Sequence, residues 1–131
     1  MTHLRDLQSI KLEKPSLVTI GVFDGIHKGH QTLLNRFVNS AHAEGYNAVV
    51  LTFYPHPDIV IHQLEGRYYL MTPEQRARFL LNMGVDYVIT HPFNQDVREI
   101  RAAEFVNQLR VYLNMCSLWV GEDFAMGYQR E

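Results

Sequence analysis

Residues 17–30 read Leu17-Val18-Thr19-Ile20-Gly21-Val22-Phe23-Asp24-Gly25-Ile26-His27-Lys28-Gly29-His30. The change from an apolar, β-branched run to a glycine-punctuated one decides the fold. The first part lacks the strict alternation of a half-solvated strand, which predicts a strand over 17–22 buried on both faces. Downstream, Leu33, Leu34, Phe37, Val38 and Ala41 recur at helical spacing and Gly45 stands as a C-cap, predicting a helix over about 29–44. The glycines between them therefore form a strand-to-helix turn.

Gly21, Gly25 and Gly29 recur every four residues. That spacing fits neither the dinucleotide fingerprint nor the P-loop, which needs Gly-Lys followed by Ser or Thr. Glycine lets a backbone pass close to a ligand, and a helix start offers free N–H groups and a positive dipole end to phosphate. His27 and His30 lie three residues apart, so a helix beginning near them puts both rings on one face. Imidazoles there donate hydrogen bonds to charge developing on a pentacoordinate phosphorus. The plainer alternative is a pair of solvated helix-start histidines. A transition-metal pair would need a third ligand that the sequence does not identify, so no metal ligand is assigned.

Working outward, strands are predicted over 48–53, 87–90 and 117–120 from their β-branched and aromatic content. A second helix opens at Thr72-Pro73-Glu74-Gln75, where threonine caps, proline takes the first turn and Gln75 completes a capping box. It buries Ala77, Leu80 and Leu81 and ends before Gly84. A third helix over about 102–113 places Ala102, Phe105, Val106, Leu109 and Leu113 on one side. Alternating strands and helices predict an α/β unit: a Rossmann-like parallel sheet with helices on both faces. Ligands of such sheets bind at the carboxyl ends of the strands, so segments 24–30, 54–58, 91–96 and 121–130 should converge on one edge. Residues 59–69 read as an irregular loop, and His91 with Phe93 reads as a strand-ending turn at Pro92.

With 131 residues, 47% of them hydrophobic, one domain with a substantial core is expected. Twelve Lys and Arg against fourteen Asp and Glu give a net charge of −2, so no general basic field draws in nucleic acid or anionic lipid. No signal peptide and no membrane-spanning stretch is read, and a single cysteine, Cys116, excludes an internal disulfide. A cytoplasmic setting follows as the expectation. Cys116, in an apolar stretch, is expected as a small buried residue rather than a reactive thiol. Oligomeric state is not legible.

The segments at the strand ends carry a resemblance. Gly21 to His30 resembles the G-x-F-D-G-x-H-x-G-H form of the HxGH nucleotidyltransferase signature. Thr52-Phe53-Tyr54-Pro55-His56-Pro57 resembles the T-F-x-P-H-P segment of the prokaryotic FAD synthetases. Leu70-Met71-Thr72 with Glu74, and Gly121 to Arg130 as G-x-D-F-x-x-G-x-x-R, are similar to two further segments of that family, so the likeness runs from about Pro15 to the end.

The resemblance implies FMN adenylyltransferase chemistry: AMP passes from ATP to the phosphate of FMN, giving FAD and pyrophosphate, with magnesium accompanying ATP. It implies His27 and His30 as catalytic, and Gly21, Phe23, Asp24, Gly25, His27, Gly29 and His30 as the ATP site. Phe53, Tyr54, Pro55, His56, Pro57, Asp123, Phe124 and Arg130 would hold the flavin nucleotide. Family members carry a further I-S-S-T-x-I-R segment and most continue into a riboflavin kinase domain. Residues 1–131 are thus expected to be one incomplete adenylyltransferase domain of a longer bifunctional enzyme, without its kinase domain. The competing readings are another HxGH transferase, cytidylyl- or pantetheine-phosphate adenylyl-transferring, and a non-catalytic flavin- or nucleotide-binding fragment.

Overall fold

Five parallel strands form a single sheet in the order Thr2–Leu4, Tyr87–Pro92, Asn47–Tyr54, Ser16–Ile20, Met115–Trp119. The computed structural model describes residues 2–21, 28–54, 72–92 and 102–119. The strands are β1 (Thr2–Leu4), β2 (Ser16–Ile20), β3 (Asn47–Tyr54), β4 (Tyr87–Pro92) and β5 (Met115–Trp119). Between the last four run helices α1 (Lys28–Ala43), α2 (Pro73–Asn82) and α3 (Ala102–Leu113). The parallel α/β architecture expected from the alternating pattern is therefore the one observed.

The central strands are buried on both sides, as their unbroken apolar runs require. Leu17, Ala48, Val50 and Val88 point to one face, where α1 contributes Leu34, Phe37, Val38 and Ala41, and α2 contributes Ala77 and Leu80. Val18, Ile20, Val49, Leu51, Phe53 and Ile89 point to the other, against Phe105, Leu109 and Leu113 of α3 and against Leu7. Leu33 departs from the expected α1 stripe: it is 37% exposed, because one residue's rotation from Leu34 carries it off the packed side.

Helix ends follow their local chemistry. Thr72 accepts from the Gln75 N–H at 3.1 Å while the Gln75 side chain accepts from the Thr72 N–H at 2.9 Å, a complete capping box with Pro73 at the first position. After α1, Tyr46 N–H donates to Ala41 and Gly45 N–H to His42, and Gly45 has φ +74. This is the Schellman pattern, which needs a left-handed residue. Gly84 closes α2 in the same way at φ +103, and a Cβ on it would lie 3.0 Å from Val38 Cγ1, so glycine there also lets α2 approach α1. Asn114 takes the left-handed position after α3, at φ +50.

Four expectations are corrected. β1 was not legible: three residues, only one of them strongly apolar, give too short a signal, yet they add a fifth strand beside β4. His91 and Pro92 belong to β4 instead of forming a strand-ending turn, since they pair in register with Phe53 and Tyr54. Arg76 is fully buried on the α2 face, where only apolar residues were expected. Cys116 is exposed, β5 being the last strand of the sheet among the described residues; its Sγ donates to the Ser16 carbonyl at 3.4 Å. Among the described residues no helix is long and apolar enough to cross a membrane.

Candidate nucleotide site at the strand ends

From β2 the chain builds outward through β3 to β4, then returns to the opposite flank of β2 to lay down β5. The order reverses between β2 and β5. In open parallel sheets the crevice outside the carboxyl ends of the strands at such a reversal is where ligands bind. Here those ends are Ile20–Gly21 and Trp119, and the two strands are fastened there by Thr19, whose Oγ1 donates to the Trp119 carbonyl at 2.8 Å. The Trp119 ring packs edge-on against Phe37 of α1, centroids 5.6 Å apart. Gly21 donates its N–H to the Leu51 carbonyl at 3.1 Å, so the first residue of the glycine-rich turn is still anchored to β3.

α1 starts at Lys28, and Lys28, Gly29 and His30 are its first three residues. Their N–H groups are among those a helix leaves without intrahelical partners. No acidic side chain stands in that first turn to compete for an anion. The expectation of a helix opening close to the two histidines thus matches the observed start. His27, Phe23, Asp24 and Gly25 lie outside the described residues, as do Pro55, His56, Pro57, Asp123, Phe124 and Arg130.

Of the flavin-side candidates, Phe53 and Tyr54 are the last two residues of β3. Phe53 is 7% exposed and sits in a ring cluster, 6.3 Å from His91 and 6.2 Å from Phe105. The described geometry gives it packing contacts at the base of the segment that follows. Tyr54 pairs with Pro92 in the sheet register.

Two histidines to which the sequence assigned no role in the site make tertiary hydrogen bonds. His3 of β1 shares a 2.7 Å hydrogen bond with Thr90 Oγ1. Its pKa is lowered from the ordinary 6.5 by burial first, then by the Arg5 and Arg76 charges, with Glu74 opposing. Arg5 and Glu74 form an exposed ion pair that ties the chain after β1 to the start of α2. His91 accepts the Leu7 N–H on Nδ1 at 3.1 Å, and burial lowers its pKa while Asp6 opposes. A signal for His91 did exist: it lies two residues after Ile89, on the same inward face of β4.

Among the described residues no group of three or more histidine, cysteine or acidic side chains is arranged to hold a metal ion.

An all-parallel sheet with helices on both faces and this reversal is the architecture of the Rossmann-like α/β class, to which nucleotidyltransferase folds belong. The profile of one family within that class, FAD synthetase, matches residues 9–131, and the chain belongs to it. It is 34% identical over 122 residues to a FAD synthetase of Listeria monocytogenes, covering 92% of this chain and 49% of that protein. It is 36% identical over 141 residues to a bifunctional riboflavin kinase/FMN adenylyltransferase of Pseudomonas fluorescens, covering 99% of this chain and 42% of that one. The chain thus spans less than half the length of these relatives. Among solved structures, a Streptococcus pneumoniae chain described as a macrolide-efflux protein superposes with a TM-score of 0.79 at 28% identity, over 99% of this chain and 44% of its own.

Proposed function

We propose that the protein is the adenylyltransferase part of a FAD-forming enzyme. An oxygen of the FMN phosphate attacks the α-phosphorus of ATP, the bond from that phosphorus to the bridging oxygen breaks, and pyrophosphate leaves. The reading is carried by the β2–β5 reversal, with Gly21 at the end of one strand and the start of α1 behind it, in a chain of the FAD synthetase family. Bringing two anions into line is the main task, so orientation and electrostatics supply the rate.

In this reading Gly21, Phe23, Asp24, Gly25 and Gly29 line the ATP phosphates. His27 and His30 stabilise charge on the transferring phosphorus. Tyr54, Pro55, His56 and Pro57, based on the packed Phe53, hold the flavin nucleotide with Asp123, Phe124 and Arg130. Magnesium accompanies ATP and screens the repulsion between the two substrates; no step is assigned to a metal held by this chain. The relatives described as bifunctional support a second, riboflavin-phosphorylating domain in the same polypeptide. A cytoplasmic location and an absence of nucleic-acid partners belong to the same proposal.

The test is to incubate the full-length protein with FMN, ATP and magnesium and separate the products. FAD and pyrophosphate in equal amounts are expected. Adenylylation of other acceptors with no FAD would overturn the proposal.

A further inference from the structure

Phe53 of β3, His91 of β4 and Phe105 of α3 form a closed triad of rings, with centroids 6.3 Å apart for Phe53–His91, 6.2 Å for Phe53–Phe105 and 6.4 Å for His91–Phe105. Phe53 and His91 are direct partners in the β3–β4 register, and all three residues are buried. His91 is the polar member. Its Nδ1 accepts the N–H of Leu7, itself fully buried in the 3-10 turn Leu7–Ser9. A backbone N–H can only donate, so Nδ1 carries no proton and the neutral ring holds its hydrogen on Nε2.

We infer that His91 is a positioning residue for the flavin half of the site: it locks the N-terminal turn and Phe53 together, and so fixes where β3 ends at Tyr54. The inference rests on the FMN adenylyltransferase reading. Tyr54 follows Phe53 directly and begins the segment assigned to flavin, whereas the ATP half begins one strand away at Gly21. A disturbance centred on His91 should therefore reach FMN before ATP.

Protonation would turn Nδ1 into a donor facing a donor and place a charge in a site that is 4% exposed. Of the elements packed on the ring, β3 and α3 present the uncharged rings of Phe53 and Phe105. Among the described residues Asp6, beside Leu7, supplies the charge that bears on it, and burial outweighs that charge in holding the ring neutral.

The test compares wild type, His91→Phe and His91→Asn in the full-length protein, with FMN and ATP varied separately. His91→Phe keeps a ring but orphans the Leu7 N–H; it should raise KM for FMN about five- to tenfold and leave KM for ATP within about twofold. His91→Asn offers Oδ1 to the same N–H without a titrating ring. It should keep KM for FMN within about threefold of wild type at pH 7.5, and lack the part of the acid-side rise that His91 protonation causes. Equal rises in both KM values for a folded His91→Phe would overturn the inference, as would an unchanged KM for FMN. Should that variant fail to fold, the pH series decides: His91→Asn and wild type rising in parallel below pH 6.5 would overturn it. Wild type that forms no FAD sinks the underlying reading, and wild type that forms FAD beside an indifferent His91→Phe sinks the inference alone.

Discussion

Thr19 Oγ1 donates to the Trp119 carbonyl at 2.8 Å, joining β2 to β5 at the carboxyl end where the strand order reverses. The two strands shift register between Ser16 and Leu17, so this side-chain bond reinforces the ladder past an irregular start. Thr19→Val keeps the shape and removes the donor. It should lower unfolding free energy by about 0.5–1.5 kcal/mol, with Thr19→Ser recovering most of the loss. Urea titration followed by the fluorescence of Trp119, the single tryptophan, reads both. Equal stability of valine variant and wild type would show that the bond adds nothing to the ladder.

Phe37 reports on the same corner from the helix side. It is fully buried, sits in the cluster joining α1 and α2 to the sheet, and meets Trp119 edge-on at 5.6 Å. Phe37→Ala should cost about 3–5 kcal/mol and shift the Trp119 emission in the folded state, because the cavity opens against that ring. Phe37→Leu should cost less than half as much. A folded-state emission identical to wild type would argue that Trp119 is held by something else.

Helices and inner strands were legible because their signals are local and mutually consistent. Thr72 to Gln75 spells a capping box that forms, Gly45 takes the left-handed cap, and the runs around Val18 and Val50 have the double-sided burial of inner parallel strands. What escaped depends on neighbours distant in sequence. β1 exists because β4 offers an edge, Cys116 is exposed because β5 has no further partner among the described residues, and His91 is interior because Leu7 and two phenylalanines close over it. The site divides in the same way. Its glycine and histidine spacing is a motif readable in one dimension, while the support beneath Phe53 is a tertiary arrangement that no window of residues displays.

The buried His91 and the part-buried His3 make stability depend on pH. Both His3 and His91 have pKa values below the ordinary 6.5, burial being the first cause in each. The unfolded chain therefore takes up protons before the folded one as pH falls. Their contribution is complete above about pH 6.5 and declines as the pH drops from there through the folded pKa values, the slope per histidine being at most about 1.4 kcal/mol per pH unit. Denaturation midpoints at pH 7.5 and 5.5 should fall on acidification, and fall less in His91→Asn. A variant with the wild-type dependence would remove His91 from the account.

His30 occupies the first turn of α1, where helix N–H groups and a developing phosphoryl charge would meet. If it acts on the transferring phosphorus, as the proposed function has it, its contribution grows between bound substrate and transition state and little of it appears in flavin affinity. His30→Ala in the full-length protein should then lower kcat for FAD formation by about 10²–10³, the usual effect of losing one such donor. Dissociation of FMN, followed by flavin fluorescence, should change less than about threefold. Parallel loss of turnover and FMN binding in a folded variant would reassign His30 to the frame of the site, since a residue that shapes the pocket weakens both together.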